Sequence, residues 1–411
     1  MNGAAPSHPR DPARQPEHDY PYYRDALAGH TLPAAFIDLD HFKINLERLR
    51  VRAAGMPIRL VTKSVRSVAM IRLALAAGDF IRGLLCYSPA EAAWLASEGL
   101  DDIVVAYPSV EHADLRAVAA QLRNGRSITL MVDSMAQVEQ IDALARAEGV
   151  VMPLSIDLDM SSALPGIYFG VYRSPVRDIA TAVALANGIA ACPGVRLEGL
   201  MGYEGQIAGL MDEVPGQALK NWIVRYLKRR SIHETNARRR NVVQALAATG
   251  HPLRFVNGGG TGSIESTKSD PSVTEVAAGS GLYTPALFDH YAVFQALPAA
   301  GFALPVTRHP RDGILTCSGG GYIASGPAGK NRLPQPWLPA GCTLIDNEGA
   351  GEVQTPVRHP ASVALKIGEP MLFRHAKAGE LCERFNEILL IKGGRVVDRV
   401  TTYRGDGKCF F

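Results

Sequence analysis

The sequence is poor in cysteine and has no pairing pattern among the cysteines it does hold. Its 411 residues carry six: Cys86, Cys192, Cys317, Cys342, Cys382 and Cys409. None forms a CxxC pair, and none has a tight disulfide spacing. In a chain of this length that argues against a disulfide framework and for reduced thiols in a cytoplasmic setting. No apolar run is long enough to span a bilayer, and the N-terminus has no apolar h-region, so neither a membrane partner nor a signal peptide is expected. Long Lys/Arg blocks are missing too, and the net charge is only +3, which gives no basis for a nucleic-acid partner. Arg229, Arg230, Arg238, Arg239 and Arg240 fall in one long helical pattern and read as a solvated face. No low-complexity tract appears.

What is present is a large potential core. The chain is 47% hydrophobic and 20% charged, and its length suits one barrel-sized domain plus a smaller one. Residues 1–32 are rich in Pro, His, Arg and Asp and read as a poorly ordered arm lying on a partner subunit. A short strand over 33–39 comes next, then Asp40 as N-cap of a helix over 41–54. Apolar runs with strand composition then recur at 58–62, 82–86, 103–106, 127–132, 153–157, 197–201, 253–257 and 274–278. Helical patterns separate them at 66–78, 89–99, 110–123, 134–148, 175–191 and 213–249, with a short interval at 264–272. Continuous apolar runs mark strands buried on both faces, hence a parallel sheet. Eight such units fit a (β/α)8 TIM barrel within an α/β domain over 33–295. The alternative, an open doubly wound sheet, would carry a glycine fingerprint after its first strand, and Lys63-Ser64-Val65-Arg66 is not glycine-rich. Residues 296–411 form a β-rich C-terminal domain, with strands expected at 313–317, 342–345, 363–367, 387–391 and 395–400.

In a barrel the active site lies at the carboxyl ends of the strands. Lys63 stands just after the first. A lysine closing a buried strand is costly unless it has chemistry to do, and a desolvated neutral amine can form a Schiff base; on that stretch alone, a lysine reaching back to solvent is the simpler reading. After the seventh strand comes Gly258-Gly259-Gly260-Thr261-Gly262-Ser263, where backbone N–H groups and hydroxyls can close around an anion. Gly281 and Tyr283 come after the eighth. Loops after strands seven and eight are the usual phosphate seat of this fold. A lysine on the first strand and a phosphate seat on the last two fit pyridoxal 5'-phosphate (PLP). Tyr203 is a candidate to pack on that cofactor, or else an interior barrel aromatic. Asp157 and Gln206 are candidates to face a substrate; Asp157 and Asp159 alternate in facing, so one of the two points inward.

These residues resemble a known group. Phe36-Ile37-Asp38-Leu39-Asp40, Lys63 after the first strand and the GGGTGS loop look like the fold-type III PLP enzymes, which include alanine racemase, D-threonine aldolase and eukaryotic-type D-serine dehydratase. Tyr203-Glu204-Gly205, Thr274-Glu275 with Gly281 and Tyr283, and Gly394–Arg399 with Arg404-Gly405 after it resemble the D-threonine aldolase/D-serine dehydratase branch. That resemblance implies a lyase acting on a β-hydroxy D-amino acid, a small-molecule substrate, and a homodimer. It also implies a divalent metal, Zn or Mn, held by a His and by a Cys or Asp two residues further on. His375 fits the histidine; Lys377 stands at the second position, leaving Cys382 or Glu380 as the other ligand. Arg173 would approach the rim as a carboxylate or cofactor partner. The rival reading is an amino-acid racemase, with Lys63 on one face and Tyr322, supplied by the partner subunit, as a second base; a third is a non-catalytic cofactor-binding barrel, against which the C-terminal domain argues.

Overall fold

The computed structural model describes residues 18–164 and 166–410. Its centre is a closed barrel of eight parallel strands: Ile58–Val61, Ile81–Cys86, Ile103–Val105, Ile128–Val132, Met152–Asp157, Val195–Gly202, Phe255–Gly258 and Glu275–Ala278. Each pairs with the next in chain order, and the last closes on the first through Val276 and Ile58. All eight lie where the apolar runs place them. The reason is visible in Ile103–Val105 and Ile128–Val132, every residue of which is buried. Such strands have no polar face and need helices outside and side chains inside. Inside, Leu85, Val104, Met131, Met201, Phe255 and Ala277 form their own cluster.

One end of the barrel is plugged by charge. Arg59 is 1% exposed and donates to Glu275 at 2.6 Å and to the Asp102 carbonyl at 2.6 Å, with its guanidinium 5.4 Å from the Phe255 ring. Gly83 makes room for it: a Cβ there would lie 2.4 Å from the Arg59 guanidinium, and its φ is +64°. A ligand is left the opposite, carboxyl-terminal mouth.

The second layer is a sheet of nine strands among the described residues. Ala300–Arg311 is its spine, pairing with Ile314–Ser318 and Pro370–Arg374. Three sequence expectations need correction here. Ala34–Asp38, expected to open the barrel domain, sits in this sheet, antiparallel to Ala300–Arg311 and parallel to Glu387–Lys392. No strand forms over 363–367; Pro370–Arg374, fully buried, takes that place. The cap of the helix Leu39–Ala53 is Asp38, whose carboxylate accepts from the Asp40 and His41 amides, and not Asp40. Residues 1–17 of the expected arm lie outside the described residues. Beyond them, Tyr20–Ala26 is helical, with Tyr23 buried and donating to Asp38 at 2.9 Å.

The long helix Ala218–Ala248 corrects a fourth reading. Arg229 and Arg230 are exposed, but Arg239 is 0% exposed. No helix of the described residues is long and apolar enough to cross a membrane.

Candidate active site

The strand Ile58–Val61 ends where Thr62 donates its hydroxyl to the Leu85 carbonyl of the neighbouring strand, at 3.1 Å. A single 3-10 turn, Thr62–Ser64, comes next and carries Lys63. Arg66 completes the turn at φ +48°, a conformation that L side chains seldom hold without support. It has support: its guanidinium meets Glu383 at 2.5 Å and the Lys63 carbonyl at 3.1 Å. The turn Gly379–Glu383 of the C-terminal region seals the outside, where a Cβ on Gly379 would fall 2.0 Å from the Lys63 carbonyl. The backbone of Lys63 is thus fixed from both layers, while its side chain is exposed rather than buried as the sequence suggested.

That side chain enters an open pocket of about 760 Å³ at the carboxyl mouth of the barrel. Lys63, Tyr203 and Arg173 line it, as do Gly259, Gly260 and Thr261 from the loop after the seventh strand and Gly279 and Ser280 from the loop after the eighth. The two loops are tied together, Gly281 N–H donating to the Thr261 hydroxyl at 3.1 Å. Ser280 in turn lies 3.0 Å, hydroxyl to hydroxyl, from Ser64.

The remaining predicted positions stand behind this lining. At Gly262 a Cβ would be 2.3 Å from the Ala208 carbonyl, so that glycine is steric. Ser263 accepts from the Gly260 amide at 3.1 Å and shapes the loop. Tyr283 is buried and donates to the Val65 carbonyl at 3.1 Å. Gln206 is buried with its amide on the Met160 carbonyl at 2.6 Å and on Ser231 at 2.9 Å; it is a structural group and not a wall of the pocket. Asp157 is also buried behind the lining. Burial pushes its carboxyl up to about 7, Asp133 and Asp159 adding to the rise and Arg173 opposing it. Asp159 turns away to cap its own loop at Ser161.

Beneath the glycine loop lies a buried ion network. Arg239 pairs with Glu204 and, at 3.5 Å, with Asp270. The other oxygen of Glu204 accepts the Gly259 amide at 2.7 Å.

Two aromatic neighbours of Lys63 matter, and the sequence reading included only Tyr203. The other is Tyr107, just past the third strand Ile103–Val105, whose oxygen accepts from the Lys63 amine at 2.7 Å. Arg173 lies between the two rings, 5.4 Å from the centroid of Tyr107 and 4.9 Å from that of Tyr203. Burial would raise the Tyr107 phenol, but the Lys63 and Arg173 cations outweigh it and hold the phenol below its ordinary value. A sequence signal for it exists: Ala106-Tyr107-Pro108 sits directly at the carboxyl end of a barrel strand, the same rim that carries Lys63 and the glycine loop.

The predicted metal ligands are each engaged by neighbouring backbone. His375 is 3% exposed, and its Nδ1 is occupied by the backbone of Lys377, 2.7 Å from the carbonyl. Burial lowers its pKa, with backbone hydrogen bonds to Lys377 and Tyr322 working against that. Lys377 is tied to Ser325 at 2.5 Å and to Glu380 at 3.2 Å. The Cys382 thiol donates to the Val65 carbonyl at 3.3 Å, and burial pushes it up to about 12. Neither residue lines the pocket. Nor does Tyr322, the expected second base of a racemase, which packs on Phe302 and Phe385 at 5.1 and 5.5 Å.

The sequence matches the family model "Alanine racemase, N-terminal domain" over residues 37–286. The chain belongs to that family. It is the fold-type III PLP barrel, and the match spans Lys63, Tyr107 and the glycine loop of residues 258–263. Among named relatives, the chain is 26% identical over 250 residues to a 3-hydroxy-D-aspartate aldolase of Paracoccus denitrificans (strain Pd 1222), covering 60% of this chain and 59% of that protein. It is 28% identical over 258 residues to a D-threo-3-hydroxyaspartate dehydratase of Delftia sp. (strain HT23), covering 62% of each. The matched region is thus about three fifths of the relatives' length. Among solved structures, a D-threonine aldolase from Filomicrobium marinum superposes with TM-score 0.77 at 21% identity, covering 93% of this chain and 96% of that one. The Delftia dehydratase gives 0.73 at 22%, covering 92% and 99%.

The pocket fits the family's cofactor. It offers one exposed amine, and the glycine loops around it are packed too closely against the barrel to carry side chains. A Cβ on Gly279 would lie 2.5 Å from the Val61 carbonyl, and one on Gly260 3.0 Å from Ala208.

Proposed function

We propose that this protein is a PLP-dependent lyase acting on a β-hydroxy D-amino acid, by retro-aldol cleavage or by dehydration. The observation that carries the reading is the Lys63 amine at the barrel mouth, in one pocket with the glycine cradle of Gly259, Gly260 and Thr261. The named relatives, aldolases and a dehydratase of such amino acids, support it.

Lys63 is the residue that would hold the cofactor's aldehyde, and the loops at Gly259–Thr261 and Ser280 those that would hold its phosphate. PLP, when bound, supplies an electron sink for a bond broken at the substrate's Cα. Arg173 places a fixed cation in the pocket for an anionic oxygen. Tyr203 and Tyr107 wall it with aromatic surface. Once substrate occupies its place on the cofactor, Lys63 is free to hold or move a proton at Cα.

The test is a product assay with PLP and a panel of D-threonine, D-serine and D-3-hydroxyaspartate, run with and without a chelator. Glycine with an aldehyde, or ammonia with a keto acid, is expected. Because neither His375 nor Cys382 lines the pocket, the rate is expected to survive chelation. Inversion at Cα without cleavage would replace this reading with the racemase; no product from any of the three would end it.

A further inference from the structure

The reaction needs a group that accepts the β-hydroxyl proton, and neither His375 nor Cys382 reaches the pocket to do so. Tyr107 does reach it. It lines the cavity, its oxygen lies 2.7 Å from Lys63 Nζ, and Arg173 covers its ring. We propose that Tyr107 is the catalytic base that takes the β-hydroxyl proton of the substrate and returns it to Cα by way of Lys63. This rests on the aldolase form of the function proposed above.

The step balances within the chain's own groups. Tyr107, as phenolate, accepts the proton of the β-hydroxyl. The O–H electron pair becomes the second bond of the new carbonyl, and the Cα–Cβ bond breaks with its pair left on Cα. The Lys63 ammonium protonates Cα. Tyr107 then passes its proton across the 2.7 Å hydrogen bond to the Lys63 amine. Glycine and an aldehyde leave, both groups are restored, and no oxidant, reductant or further reactant is consumed.

Electrostatics favour the phenolate. The charges that act on Tyr107 are the Lys63 and Arg173 cations, with the Asp157 carboxyl behind opposing them. Two cations beside one phenol in a partly dry pocket make a weak acid stronger. A base whose pKa is nearer the working pH is a better one.

The test is Tyr107→Phe, read three ways. First, cleavage of D-threonine should fall by about 10²–10⁴-fold, the usual worth of a general base. Second, exchange of the glycine α-hydrogen in heavy water, which needs Lys63 and not the β-hydroxyl base, should persist near the wild-type rate. Third, in cofactor-free protein, the ultraviolet tyrosinate signal lost in the variant should titrate below the ordinary value of about 10. Cleavage by the variant at the wild-type rate overturns the proposal and leaves the lyase reading standing. Equal loss of cleavage and exchange also overturns it, since Tyr107 would then be a structural support of Lys63. A wild type that exchanges glycine's hydrogen but cleaves nothing removes the lyase reading, and this proposal with it.

Discussion

A single carboxyl shows how burial converts into pH dependence. Glu91 is 0% exposed and accepts from the Tyr87 amide at 2.7 Å and the Tyr403 hydroxyl at 3.0 Å. Burial pushes its pKa up to about 7, its hydrogen bonds and Arg66 working against the rise. The folded protein therefore keeps a proton that the unfolded chain, at an ordinary value of 4.5, has released. Stability from this group is fully present below about pH 4.5 and is lost as pH rises through about 7, on the order of 3 kcal/mol in all. Asp157, also raised to about 7, has the same sign. Urea midpoints should thus fall between about pH 5 and about pH 8, and Glu91→Gln should flatten much of that slope. A variant with the wild-type slope would show that Glu91 does not titrate over this range. None of this was legible in the sequence: Glu91 occupies the third position of the helix Pro89–Ser97, where an acidic residue ordinarily faces solvent at a helix start. Only the approach of the C-terminal segment, which brings Tyr403 onto it, makes it a buried group.

At the scale of elements, the glycine loop of residues 258–263 is anchored to the helix beneath it. Arg239 and Glu204 are both almost wholly buried, and Glu204 fixes the Gly259 amide. That amide is thereby spent on the protein and is not available to a ligand. Arg239→Met would leave two buried carboxylates without their cation. The expected loss is about 3–5 kcal/mol in denaturant unfolding, with weaker PLP binding by titration. Glu204→Gln, which can still accept from Gly259, should cost less on both measures. Unchanged stability in Arg239→Met would show that the network is not what holds the loop. Periodicity located this helix correctly but misread its inner face, because arginine is seldom fully buried and the two acids that pair with it lie 35 and 31 residues away in the sequence. A side chain's partner across the fold is the information that local pattern lacks.

At the scale of the whole molecule, the eight strands were legible because each is an unbroken apolar run with a helix to cover it. The β-rich layer was legible in kind and less so in detail. Its spine, Ala300–Arg311, carries two prolines and alternates only in part, and its central strand Ala34–Asp38 comes from the other end of the chain. That long-range pairing brings the C-terminal layer down on the barrel mouth, where Gly379 and Glu383 hold the turn of Lys63 in place. The architecture thus converges on one amine, and the most direct measurement is to find where PLP attaches. The protein is mixed with PLP, reduced with borohydride, digested and mapped by mass spectrometry, beside Lys63→Ala. The account predicts a visible absorbance band in the wild type, a reduced pyridoxyl group on Lys63, and neither in the variant. A colourless wild type, or a pyridoxyl group on another lysine with Lys63→Ala equally labelled, would contradict it.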